Sequence, residues 1–142
     1  MNRILVGYDG SVSAQGAYAF ALTLTAKFGA VLDVLAVARP PEPADDVETE
    51  AEIERAQEHF ARDFNALREQ ASALGIVPHC EVAVGHPAIQ LVRYAEAHGI
   101  DHIVVGHRGH TLFERFLIGS VARQVIAYAH CAVTVVRVPL NG

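Results

Sequence analysis

The residues with most to offer chemically are Gly106-His107-Arg108-Gly109, followed nine residues later by Gly119-Ser120. Two glycines three apart let backbone N–H groups turn inward with no Cβ in the way. A Gly-Ser pair that opens a helix adds free N–H groups, the positive end of the helix dipole and a hydroxyl donor. Together these would form a phosphate cradle made of backbone. Lys27 is the sole lysine and lies between Ala26 and Phe28, so no G-x-x-x-x-G-K-[ST] loop exists. The plainer reading is that Gly106 and Gly109 shape a tight turn while Gly119-Ser120 caps a helix. Spacing alone does not choose between the two.

Asp9-Gly10-Ser11 is the second constellation. A carboxylate there can accept hydrogen bonds from a ribose or a base, or reach a metal; Asp-Gly is equally ordinary turn chemistry. Gly7 to Ser11 reads G-Y-D-G-S, which lacks the order of a G-x-S-x-G nucleophile elbow. Eight histidines invite a zinc reading, but no His-x3-His pair falls on a helical stretch. Cys80 and Cys131 have no close second cysteine, so no metal site made by the protein alone is expected and both thiols read as buried and inert. His107 and His110 are the bases nearest the glycine loop, and neither has a carboxylate partner visible in sequence.

These residues need elements to hold them. Arg3 to Tyr8, Val31 to Ala38, His79 to Val84, His102 to Val105 and Ala132 to Val138 are short apolar or alternating runs that read as strands. Between them the period changes to three and four. Ala14, Ala17, Tyr18, Ala21, Leu22, Thr25 and Phe28 form one helical stripe, with Ser11 or Ser13 as cap and Gly29 as stop. Ile53, Ala56, Phe60, Phe64, Leu67, Ala71 and Leu74 form a second. Ile89, Leu91, Val92 and Ala95 form a third behind Pro87, and Val121, Val125, Ile126 and Ala129 a fourth from Ser120 to His130. The alternation predicts a doubly wound α/β sandwich with right-handed crossovers. In such a sheet ligands bind beyond the carboxyl ends of the strands where the order reverses. Asp9, Val37 and the glycine loop all fall at such ends.

At 142 residues and 51% hydrophobic, the chain suits a single domain over residues 1–142. A formal net charge of -5 argues against a nucleic-acid partner. No apolar run approaches a membrane span and no signal peptide is evident, so a cytoplasmic protein without membrane insertion is expected. From Glu42 to Glu54 the chain is acidic with no basic residue, read as a solvated loop and the negative first turn of a helix. A metal-binding or partner-binding tract is the alternative.

The motif Gly106-x2-Gly109-x9-Gly119-Ser120, downstream of VGYDGS (Val6 to Ser11), resembles the universal stress protein family, in its ATP-binding branch. VGHPAIQLVRYAEAHGIDHIVVGHRG (Val84 to Gly109) and HCAVTVVR (His130 to Arg137) extend the likeness over essentially the whole chain. The resemblance implies a five-stranded parallel sheet of order 3-2-1-4-5 in a three-layer, Rossmann-like sandwich related to the adenine nucleotide alpha hydrolases. It implies ATP as ligand, with Mg²⁺ travelling alongside. Asp9 would contact the adenosine moiety and the backbone around Val37 the adenine. Gly106, Arg108, Gly109, Gly119, Ser120 and Val121 would surround ribose and phosphates, with Gly7 and Val105 completing the set. His107 and His110 stand where smaller or neutral residues are commoner in the family. The function so implied is nucleotide-dependent regulation of an unidentified protein partner, with slow ATP hydrolysis, autophosphorylation or a nucleotide-independent interaction module as alternatives. A homodimer through the C-terminal edge strand is expected.

Overall fold

Apolar runs too short for helices and bounded by turn residues become strands covered on both faces. The computed structural model describes residues 1–40, 46–108 and 118–137. Its elements are β1 (Arg3–Tyr8), α1 (Val12–Phe28), β2 (Val31–Ala38), α2 (Asp46–Ser72), β3 (His79–Val84), α3 (Pro87–Ala97), β4 (His102–Gly106), α4 (Ser120–Tyr128) and β5 (Ala132–Val136). The sheet is parallel throughout, in the order β3-β2-β1-β4-β5. This is the expected Rossmann-like arrangement.

Alternate residues of the central strands feed two cores. Ile4, Val6, Leu32, Val34 and Ala36 pack under α1 and α2, against Tyr18, Phe60, Phe64 and Leu67. Leu5, Leu35, Ile103 and Val105 pack under α3 and α4, against Ala88, Leu91, Ala95, Ala122 and Val125. The Tyr18 hydroxyl donates to the Leu67 carbonyl at 2.6 Å and ties α1 to α2. Asp33 is 0% exposed inside an otherwise apolar β2. Arg3 Nε and Nη2 donate to its two oxygens at 2.9 and 2.8 Å, and the Tyr94 hydroxyl donates as well. Burial alone would push this carboxyl up; the bonds from Arg3 and Tyr94 outweigh it and hold Asp33 below its ordinary value.

Of the two candidate caps on α1, Ser11 does the work: its Oγ accepts from Ala14 N–H at 3.0 Å. Gly29 closes the helix in the left-handed region at φ 64°. The helical stripes hold except at four positions. Phe28, Leu74, Ile89 and Ile126 are exposed. On α3 and α4 the inward places go to Ala88 and Ala122 instead, because a small residue lets each helix lie close on the sheet. β5 ends at Val136 and α4 at Tyr128, each two residues earlier than expected. The acidic tract continues into α2, whose 27 residues span about 40 Å at helical rise. Its first buried residue among those described is Phe60. No metal-binding cluster of acidic, His or Cys side chains occurs among the described residues. Cys80 and Cys131 are half-buried free thiols, both pushed up by burial.

Candidate functional site

The strand order reverses between β1 and β4, so the crossovers leave that seam in opposite directions and open a crevice above it. A cleft of about 210 Å³ occupies this place. Its floor and apolar wall are Gly7 from β1, Leu35 and Val37 from β2, Val105 from β4 and Leu91 from α3. Its polar end is Gly106 at the end of β4 and His107 and Arg108 after it, with Gly119 and Ser120 at the start of α4. Tyr8 and Asp9 form the rim on the α1 side.

Nine of the ten residues singled out from sequence line this one cleft: Gly7, Asp9, Val37, Val105, Gly106, Arg108, Gly119, Ser120 and Val121. The tenth, Gly109, lies outside the described residues, as does His110. Gly7 is crowded by side chains: a Cβ there would sit 2.9 Å from Leu91 Cδ1 and 3.2 Å from Val105 Cγ1. Gly106 is tighter still. A Cβ would meet Ser13 Oγ at 2.5 Å and the Ser13 backbone at 2.7 and 2.8 Å. The end of β4 therefore rests directly on the first turn of α1. The contact is completed by Ser13 Oγ, which accepts from Arg108 N–H at 3.1 Å.

Asp9 realises its turn role: one carboxylate oxygen accepts from Ser11 N–H at 2.9 Å. The same side chain lines the cleft, so the turn and the ligand-facing readings are compatible. Tyr8 donates to Asp63 of α2 at 3.3 Å, and burial, then Asp63, pushes its phenol up to about 12. At the other end the N–H groups of the first turn of α4 and two guanidinium groups, Arg108 and Arg137, make the surroundings positive. Burial first, then those two cations, hold His107 below the ordinary imidazole value, and it is 5% exposed. The arrangement gathers an apolar wall, a carboxylate and the N–H groups of a helix start around one cleft, a set able to bind a ligand with an apolar and an anionic part.

Sequence reasoning missed Ser13 as a residue of the site and named His107 as a base near the glycine loop. Ser13 was read only as a possible cap for α1; with Ser11 taking that place, its hydroxyl in the first turn is left to accept from Arg108. The signal for His107 was an imidazole in a βα loop otherwise built of glycine.

The sequence profile described as the universal stress protein family matches residues 1–137. A universal stress protein of Methanocaldococcus jannaschii is 35% identical over 144 aligned positions, covering 96% of this chain and 82% of that one. Among solved structures, a universal stress protein from Lactobacillus plantarum superposes with a TM-score of 0.83 at 27% identity, covering 96% of this chain and 97% of the other. A universal stress protein family protein from Arabidopsis thaliana, solved with AMP bound, shares the fold at a TM-score of 0.66 and 15% identity, covering 99% and 94%.

Proposed function

The chain belongs to the universal stress protein family, and from that premise we propose that its cleft binds an adenine nucleotide, ATP with Mg²⁺ as accompanying cation. The observation that carries this reading is the convergence of the Asp9 turn, Val37 and the glycine motif, nine residues from β1, β2, β4 and α4 and the turns beside them, on one crevice at the strand-order reversal. The slot walled by Leu35, Val37, Leu91 and Val105 suits an adenine ring. Asp9, at the rim, is placed to accept from a ribose hydroxyl or the base. The phosphates belong at Gly119 and Ser120, where the N–H groups of a helix start and the Ser hydroxyl replace a lysine. Binding of AMP by the Arabidopsis relative supports the same ligand class.

The protein then acts in the cytoplasm as a nucleotide-dependent regulator of a protein partner, without inserting in a membrane or binding nucleic acid. It does so as a homodimer. β5 is an edge of the sheet, and Val133, Val135 and Val136 are half-buried there. His107 N–H donates to the Val136 carbonyl, so Val136 faces β4 and its neighbour Val135 presents its backbone outward. Such an edge is normally paired or protected, and a two-fold copy satisfies both edges at once.

The test is chromatography of the nucleotide released when purified protein is denatured, with calorimetric titration of ATP into stripped protein. An adenine nucleotide in the released fraction and saturable binding are expected. Folded protein that releases none and binds none at millimolar ATP refutes the reading. Phosphate release in the same sample separates binding from turnover.

A further inference from the structure

His107 is fastened through its main chain on two sides. Its N–H donates to the Val136 carbonyl and its carbonyl accepts from Gly119 N–H, both at 2.8 Å. These bonds fix its backbone between the end of β5 and the start of α4, and the residue lines the cleft. The ring is buried, at 5% exposure, and Nε2 has no hydrogen-bond partner among the described residues. A polar atom sealed from water without a partner is unusual in a folded protein. His107 is itself one of the residues that line the cleft, so a small turn of the ring would bring this atom to a partner held there. The charged groups that act on the ring among the described residues are Arg137 and Arg108, both cationic. With the N-terminus of α4 they surround Nε2 with positive potential, which suits an incoming anion.

We infer that His107 is a ligand-contacting residue, its Nε2–H donating a hydrogen bond to a phosphate oxygen of the nucleotide held at the start of α4. The inference rests on the adenine-nucleotide reading of the cleft. A neutral imidazole suffices for it: the ring carries its proton on Nε2 and adds a donor to those of the backbone. Arg108 and Arg137 supply charge, while His107 supplies direction. The contact therefore discriminates between ligands by whether they carry phosphate.

The test compares ATP, AMP and adenosine by calorimetry on the wild type, His107→Leu and His107→Gln. For His107→Leu a loss of about tenfold or more in ATP affinity is expected, the scale of one hydrogen bond to a charged group, with adenosine affinity unchanged. His107→Gln, whose amide N–H reaches a similar place, should recover most of the ATP affinity. Imidazole ¹⁵N shifts of the wild type, assigned with His107→Gln, should move at Nε2 when ATP is added, and this reading does not need the leucine variant to fold. Unchanged ATP affinity, an equal loss for adenosine, or a silent Nε2 overturns the inference while leaving the cleft a nucleotide site. Wild-type protein that binds no nucleotide overturns the reading of the cleft and this inference with it.

Discussion

Gly106→Ala is the sharpest test of how the cleft is built. The added Cβ would lie 2.5 Å from Ser13 Oγ and 2.7 and 2.8 Å from Ser13 backbone atoms, against an ordinary contact of about 3.4 Å or more. A side chain could turn away; the backbone of the first turn of α1 cannot. Either that turn or the end of β4 must shift by roughly 0.6–0.9 Å, and overpacking of this kind costs about 1–3 kcal/mol. The shift also breaks the Arg108 N–H to Ser13 Oγ bond, worth about 1 kcal/mol. Gly106 is not in the left-handed region, so alanine also stiffens the unfolded chain and returns about 0.4–1 kcal/mol. The net expectation is a loss of roughly 1–3 kcal/mol, or about 3–10 °C in Tm for a chain of this size. Gly7→Ala is the control. Its closest neighbours are side-chain methyls, those of Leu91 at 2.9 and 3.2 Å and Val105 Cγ1 at 3.2 Å, with no backbone among them, so its net cost should fall below that of Gly106→Ala. Urea unfolding followed by far-UV circular dichroism measures both. Gly106→Ala as stable as Gly7→Ala, or as the wild type, would refute the direct seating of β4 on α1.

Asp33→Ala leaves the Arg3 guanidinium and the Tyr94 hydroxyl without their acceptor. Arg3 is 31% exposed and partly recovers water, so a loss of about 2–3 kcal/mol is expected, below the usual range for a fully buried pair. Because the folded pKa of Asp33 is depressed, its contribution is full above the unfolded value of about 4 and disappears as pH falls through the folded value. Stability profiles between pH 5 and 2 should therefore be flatter in Asp33→Ala than in the wild type; parallel profiles contradict the assignment. Asp9→Ala should weaken ATP, ADP and AMP alike, by about 1–3 kcal/mol, in titration calorimetry, whereas a loss confined to ATP with Mg²⁺ makes Asp9 a metal ligand instead. Val135→Pro removes an outward N–H without touching the bonds to β4, so light scattering should report a monomer or aggregate in place of a dimer. A wild type that is monomeric at micromolar concentration ends the dimer proposal.

The local features were the legible ones. The spans of β1, β2 and β3 follow from apolar runs bounded by Gly, Pro and Asp, and six residues of the α1 stripe, Ala14 to Thr25, are the buried ones. Period is a property of neighbouring residues, so it can be read along the chain. The phase of α3 and α4 was misjudged at Ile89 and Ile126, because hydrophobicity favours isoleucine inward while close helix–sheet approach favours alanine. The seating of Gly106 on Ser13 and the Arg3–Asp33–Tyr94 cluster join residues 30 to 93 positions apart and left no local trace. The candidate site was legible through its glycines and Asp9, whose residue types constrain backbone and charge directly. His107 was visible as a residue, but not its burial, which depends on how β4, β5 and α4 meet.

The seam between β1 and β4 joins the two ends of the chain's history. Ile4 pairs with His102, and the backbone of Asn2 and Arg3 donates to Asp101 some 98 residues further on. Contacts this distant carry a large loop-closure cost and require the whole stretch between them to be present. A polypeptide still being synthesised, or one clipped before β4, has no seam and therefore no cleft. A ligand at this place recognises the finished molecule and nothing earlier, so its whole binding energy accrues to the native state. At a free concentration of 100 times Kd that amounts to about 2.7 kcal/mol, close to a hundredfold fall in the unfolded fraction. If the nucleotide proposal holds, the amount of this protein that survives proteolysis becomes a gauge of the nucleotide around it.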